Sequence, residues 1–281
     1  MFGYFSSLFE DPRSTLIFFL LAFPGRLLAI SAHEYAHAWE ADRCGDPTAR
    51  MMGRLTLNPL KHLDLVGALM MLLLGFGWAR PVPVNPRNYR NYRWDDLKVS
   101  IAGVTMNLIM FIASFLLMCG FVGFTIHRLP QFDSAAIGSG EMFVANLMGQ
   151  RVVYTGEYYF NMKDLFIMAP YIADYLIAPA LGRMAGYIYQ MLSYFVLVNI
   201  ALAVFNLIPV PPLDGYHVLN DLLLKKSPFA SEKVSRIAYG ILLALIFFTP
   251  VISKLILFVE DLLMTGLGSA MYALLCAVGL V

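Results

Sequence analysis

Charge is scarce in this chain. Of its 281 residues only 14% are Asp, Glu, Lys or Arg, and the formal net charge is +1. No dense basic face exists, which excludes nucleic acid as a partner. Cysteine is scarcer still. Cys44, Cys119 and Cys276 are scattered, two of them in apolar runs, so they read as small buried hydrophobes and not as a disulfide framework. No low-complexity tract or internal repeat is apparent, and no appended soluble domain is large enough to see. Apolar residues fill the space instead, at 59% of the chain, with a mean hydropathy of +0.67. A soluble domain could not solvate that much apolar surface. Runs near the length of a bilayer span recur at about Thr15–Trp39, Leu97–Phe124, Tyr187–Leu207 and Ala238–Phe258. A last run from Leu262 to Val281 makes the span count four or five.

The first run carries Ser31-Ala32-His33-Glu34-Tyr35-Ala36-His37. Signal cleavage would destroy this stretch, so the run is expected to be a retained span. Two histidines four apart lie on one helix face, close enough to bind the same metal ion. Glu34, beside the first, can reach a water on that metal and take its proton. Ionisable side chains are expensive in a membrane, about 2.5–3.5 kcal/mol for a charge at the bilayer centre. A buried zinc site is the cheapest account of three in one turn. The bland alternative is a chance HExxH in hydrophobic surroundings.

Zinc needs a third protein ligand and keeps an open fourth position. The candidate lies far along the chain, in Asn206-Leu207-Ile208-Pro209-Val210-Pro211-Pro212-Leu213-Asp214-Gly215. Three prolines in four positions cannot continue a helix. Freed backbone groups at membrane depth are tolerated only where they line a cavity or are buried in protein. A helix from about Tyr187 is therefore expected to unwind at Pro209 and to present Asp214 on irregular backbone, with Gly215 in a tight turn. A proline-rich exit from the membrane with a solvated Asp214 is the competing reading. A second rival takes a downstream glutamate (Glu141, Glu157, Glu232 or Glu260) as third ligand, though none of these sits in a motif. A third keeps the metal but makes the protein a store, carrier or client-binding module.

Basic residues give an orientation. Arg43, Arg50, Arg54 and Lys61 follow the first run, Arg80, Arg87, Arg90, Arg93 and Lys98 precede the second, and Lys225, Lys226, Lys233 and Arg236 follow Leu213. The positive-inside rule makes all three groups cytoplasmic. The amino terminus is then outside, and the HExxH lies within about two turns of the cytoplasmic end of its helix. Leu65–Gly77, apolar but short and with basic flanks on both sides, is expected to be a re-entrant or interfacial hairpin.

Taken together, SAHEYAHAW, GRLTLNPLKHLDLVG, GWARPVPVNP and FNLIPVPPLDG resemble the site-2 protease family of intramembrane zinc metalloproteases, in particular its small prokaryotic members without PDZ or CBS domains. The match runs, with gaps, from about Phe18 to Leu224. The resemblance implies His33, His37 and Asp214 as ligands of one zinc ion per chain and Glu34 as general base. It also implies Asn206 as a catalytic group that helps hold the substrate carbonyl or its oxyanion. Substrates would be membrane-spanning segments of other proteins, cut within or at the edge of the bilayer. One departure is visible: Ala102-Gly103-Val104-Thr105-Met106-Asn107 has Val where the family often has Pro, while Gly103 and Asn107 are kept.

The expected fold is thus an all-α polytopic membrane protein. Its core of transmembrane helices, with a re-entrant or β-hairpin segment, surrounds a buried zinc site. It forms one intramembrane domain over 1–281: a core at about 15–224, an extracytoplasmic or interfacial loop at 125–186, and a C-terminal transmembrane region at 236–281. The expected place is a bacterial or archaeal plasma membrane, with the active site near the cytoplasmic side. Gly77–Val84 offers extended backbone whose free edge could pair with an unwound substrate. His62 reads as an interfacial residue with a hydrogen bond, or else as a group supporting the site. His217 reads as a capping or polar contact, with ligation as an alternative. Cys44 is too far along its helix to ligate. Arg26, beside Pro24 where a break or kink is expected, either pairs with an acid or lines the cavity. Tyr154, Tyr158, Tyr159, Phe160 and Tyr171 suit a membrane interface.

Overall fold

Three apolar helices of bilayer length organise the computed structural model, which describes residues 12–74, 77–128, 141–147, 150–155, 173, 177–224 and 231–277. In chain order these residues form α1 (Pro12–Cys44), the short α2 (Thr48–Met51) and α3 (Pro59–His62), α4 (Leu65–Leu74) and α5 (Tyr92–Arg128). Two strands, β1 (Glu141–Leu147) and β2 (Gln150–Thr155), pair antiparallel. Then come α6 (Ala178–Leu181), α7 (Arg183–Asn206), α8 (Asp214–Leu219), α9 (Glu232–Phe248) and α10 (Val251–Ala277). The apolar parts Thr15–Cys44, Tyr92–Phe121 and Arg183–Asn206 are each long enough to cross a membrane, so this is a multi-pass membrane protein. A bent pair, Lys233–Ile246 with Val251–Leu267, meets at 72° and is a fourth candidate.

The long helices bury one face each, and the sequence spacing shows why. On α5 the buried residues Leu97, Ser100, Val104, Asn107, Phe111, Ser114 and Met118 follow one another at three or four positions, the period of a single helix face. Ile109, Ile112, Leu116 and Leu117 are exposed on the other side, as lipid-facing residues are. On α1 half of the buried residues are alanine (Ala22, Ala29, Ala32, Ala36, Ala38 and Ala41), which lets neighbouring backbone come close. The chain divides into two compact units. One comprises Met1–Ala113 with Tyr194–Ile256, the other Ser114–Ser193 with Leu257–Val281.

Several expectations need correction. Helix α1 runs through Pro24 without a break. Arg26 Nη1 donates to the Met71 carbonyl at 3.3 Å. The run Ala238–Phe258 is not one straight span, because Thr249 turns extended (φ −133°, ψ 153°) before Pro250 and ends α9. The last apolar run is not separate, since α10 begins at Val251 and continues through Leu262. The described residues of Leu65–Gly77 contain no strand. The stretch is mostly the ten-residue helix α4, about 15 Å long and too short to cross a hydrocarbon core of about 30 Å. Tyr158, Tyr159, Phe160 and Tyr171 lie outside the described residues.

The ends of the α4 excursion are clasped. Leu63 and Ala79 form an isolated antiparallel bridge, and the Arg80 N–H donates to the His62 carbonyl at 2.8 Å. Asp64 Oδ1 accepts from the Gly67 N–H at 2.8 Å. At this neck Gly67 faces the Trp78 backbone so closely that a Cβ would strike its carbonyl oxygen. Gly67→Ala should therefore lower stability by about 1–3 kcal/mol, the usual cost of overpacking. Thermal unfolding in detergent checks this, and an unchanged midpoint would show that the neck opens freely.

Candidate metal centre

Helix α1 brings His33 and His37 onto one face, where their Nε2 atoms lie 3.0 Å apart. Both residues are buried, 6% and 9% exposed. The third member comes from the far end of the sequence. After α7 ends at Asn206, the chain turns through the proline segment and re-enters helix at Asp214, the first residue of α8. Asp214 Oδ2 stands 3.2 Å from His33 Nε2 and 3.3 Å from His37 Nε2. Among the described residues this is the one cluster of three metal-ligating side chains.

Asp214 is thus on helical and not irregular backbone, and Gly215 makes no left-handed turn. Gly215 is instead a close-approach residue, since a Cβ there would collide with the Leu207 carbonyl. Apolar packing seats the segment: Leu213, Ile208 and Val210 join Phe205 of α7 in a cluster with Leu242 and Ile252.

The outer faces of the two imidazoles are pinned. His33 Nδ1 is 2.6 Å from Asn107 Oδ1 and His37 Nδ1 is 2.7 Å from the Val99 carbonyl, both on α5. Asn107 is held in turn, its amide donating to Asn199 Oδ1 of α7 at 3.0 Å and to the Ala29 carbonyl at 3.4 Å. Each ring therefore donates through Nδ1 and directs the Nε2 lone pair inward. Two lone pairs and a carboxylate converge with no donor between them unless a proton or a metal ion sits there.

The set fits zinc. Tetrahedral zinc with bonds of about 2.0–2.1 Å has donor–donor edges of about 3.3–3.4 Å, close to the 3.0–3.3 Å found here. The space beside the ligands is kept by Gly103 of α5, where a Cβ would lie 2.5 Å from His37 Nε2 and 2.7 Å from His33 Nε2.

Glu34, on the same turn, accepts a hydrogen bond from the Val82 N–H at 2.8 Å through Oε2. From Arg80 to Pro83, within the stretch Gly77–Val84 expected to offer an edge, every backbone N–H is already engaged. Pro81 and Pro83 have no N–H, and those of Arg80 and Val82 are already bonded. Asn206 donates to the Leu202 carbonyl at 3.0 Å, one turn back in its own helix. The asparagine bonded to a cluster histidine is Asn107, for which the sequence suggested only a motif position. His62 is buried, with Nε2 2.7 Å from the Thr56 carbonyl. Cys44 contacts Glu40 at 3.8 Å. His217 makes a polar contact, 3.1 Å from Asp96 Oδ2, which raises its pKa against the effect of burial and ties α8 to α5. Burial and the charge of Asp96 push Asp221 up to about 6.

Two substitutions test the centre. Gly103→Ala should abolish stoichiometric zinc, because its Cβ needs the space between the imidazoles. Asn107→Leu should lower zinc affinity about 10–100-fold, the usual cost of losing an outer partner of a ligand histidine. Metal analysis of purified protein under a chelator series checks both, and wild-type zinc retention by Gly103→Ala would refute the assigned position.

Comparison with known proteins bears on the same residues. The model of Peptidase family M50 matches residues 19–249. A protein named as a zinc metalloprotease, YwhC of Bacillus subtilis, is 32% identical over 232 residues, covering 82% of this chain and 81% of its own. Another so named, Rip2 of Mycolicibacterium smegmatis, is 34% identical over 104 residues, covering 35% of this chain and 40% of its own. No solved structure matches the chain significantly. The family match contains every residue of the cluster and agrees with the resemblance to site-2 proteases, so the chain belongs to peptidase family M50 and is an intramembrane zinc metalloprotease.

Proposed function

We propose that this enzyme cuts peptide bonds within or near the transmembrane segments of other membrane proteins, with Glu34 as general base. The observation that carries the reading is the meeting of His33, His37 and Asp214 one residue from a carboxylate that is not itself part of the cluster. In this reading the three residues hold one zinc ion per chain. Bound zinc would supply Lewis acidity, bringing the pKa of water toward neutrality and polarising the scissile carbonyl.

Glu34 takes the proton of the attacking water and passes it to the leaving amine. Asn206 is the proposed donor to the carbonyl oxygen as charge develops on it. To serve, its amide must exchange the Leu202 carbonyl for the substrate. A helical peptide hides its carbonyl carbon, so the substrate segment must unwind locally before attack. The basic residues flanking the site favour an orientation with the centre near the cytoplasmic face of a bacterial or archaeal plasma membrane. All proposed site residues belong to one compact unit, Met1–Ala113 with Tyr194–Ile256. The proteolytic core is read as about 15–224, with 125–186 outside or along the interface and 236–281 as a C-terminal membrane region.

The test compares two variants with wild type. Glu34→Gln should keep about one zinc per chain and lose cleavage of a single-span reporter by roughly 10²–10⁴-fold, as for removal of a general base. Asp214→Ala should lose the zinc as well. Equal cleavage by wild type and Glu34→Gln would end the general-base assignment. Unaltered zinc in Asp214→Ala would show that the third ligand lies elsewhere.

A further inference from the structure

The stretch Arg80-Pro81-Val82-Pro83-Val84-Asn85 is poor in hydrogen-bond donors. Prolines flank Val82 on both sides, so its N–H is the lone backbone donor from Pro81 through Pro83. That donor goes to Glu34 Oε2 at 2.8 Å. The Val82 side chain is buried against Ala38 and Ala49. Ala38 stands four residues after Glu34 on α1, one turn along the helix and on the same face.

Two buried charges hold this backbone in place. Upstream, Arg54, only 7% exposed, donates through Nη2 to the carbonyls of Arg80 at 2.6 Å and Pro81 at 3.3 Å. Its own N–H is fixed to the Ala49 carbonyl at 2.8 Å. Downstream, the fully buried Asp46 accepts from the Asn85 N–H at 2.6 Å and from Asn88 Nδ2 at 2.8 Å. The Pro81 carbonyl that Arg54 grips and the Val82 N–H that Glu34 receives are the two ends of one peptide unit. That unit is planar and rigid, so fixing its oxygen also fixes the direction of its N–H.

We propose that Arg54 is a positioning residue for peptide hydrolysis. It holds the Pro81–Val82 peptide, and this peptide holds the Glu34 carboxylate where it meets the attacking water. A glutamate has three side-chain torsions, and a carboxylate offers several acceptor sites. Anchoring Oε2 selects one arrangement and leaves Oε1 to take the proton. The inference rests on Glu34 acting as general base. It assigns the alternating prolines a purpose as well: they remove competing donors, so that the single remaining N–H goes to the carboxylate.

The experiment measures kcat, KM and zinc content of full-length enzyme in detergent. The probe is a single-span reporter peptide with a fluorophore and quencher on either side of its membrane segment. Arg54→Met, which keeps the aliphatic stem and removes the fork, should retain one zinc per chain and keep KM within about twofold. Its kcat should fall at least tenfold, in line with the roughly hundredfold cost of a misplacement of about 1 Å. Arg54→Lys should recover part of that loss, since its ammonium still donates but lacks the planar fork. Val82→Pro, which deletes the N–H, should reproduce Arg54→Met, whereas Val82→Ala, which keeps it, should lose at least threefold less kcat than Val82→Pro.

The double variant Arg54→Met/Val82→Pro should be no slower than either single one, because both act through one hydrogen bond. Multiplying losses, wild-type kcat in Arg54→Met, or loss of zinc would overturn the assignment. If Arg54→Met fails to fold, the contrast between Val82→Pro and Val82→Ala decides. An active Glu34→Gln enzyme would sink the general-base reading itself. An inactive one beside a fully active Arg54→Met would sink the positioning role alone.

Discussion

Three electron-pair donors face one another across 3.0–3.3 Å in a buried pocket, and much of the surrounding structure serves to hold them there. In water such a meeting would be loosened by solvent and screened. Inside apolar helices neither relief exists, and an uncompensated buried charge is costly. The arrangement is stable only with positive charge between the donors. Whatever excludes water from the pocket therefore also raises its demand for a cation. This demand accounts for the asparagine pair buried between otherwise apolar helices beside His33. Asn107 and Asn199 are fully buried: Asn107 meets His33 through its Oδ1 and donates to Asn199 Oδ1, while the Asn199 amide donates to the Phe195 carbonyl of its own helix.

The same constraint explains the choice of small residues. Helix α5 must come close enough for the Val99 carbonyl and Asn107 to reach the outer nitrogens of α1, yet leave the inner ones clear. Gly103 meets both conditions, being the point on α5 where any side chain would enter the ligand space. The Pro-to-Val departure at position 104 leaves this intact. Val104 is buried in the packed face of α5, and the centre needs Gly103 and Asn107 on either side of it. Asp214 is subject to the same spatial economy, since it reaches the histidines only because Gly215 can approach Leu207.

Features governed by local rules were legible in the sequence. The i, i+4 histidines could be placed on one face with no knowledge of the fold, and the prolines at 209, 211 and 212 marked where a helix must stop. The partners that tune the centre were not legible, because tertiary approach decides them. Nothing local distinguishes Asn107 from Asn206, yet one bonds a cluster histidine and the other its own helix. Gly103 could be read only as permitting close packing, without naming what approaches. Proline itself gave mixed guidance. Pro24 sits within α1, while Pro250 ends α9 because Thr249 turns extended and its hydroxyl donates to the Leu245 carbonyl at 2.8 Å.

The extended stretch after α4 shows how one sequence pattern can support opposite inferences. Proline-stiffened backbone beside a protease centre suggests a strand for the substrate to pair with, since pairing needs an extended chain. Pairing also needs open donors, and the prolines that stiffen this chain remove them. Between Arg80 and Pro83 each remaining N–H is bonded within the protein, one to the neck of the α4 excursion and one to Glu34. What the stretch retains is rigidity directed at a carboxylate. A substrate unwound beside it would meet carbonyl acceptors and apolar side chains but no spare donor there.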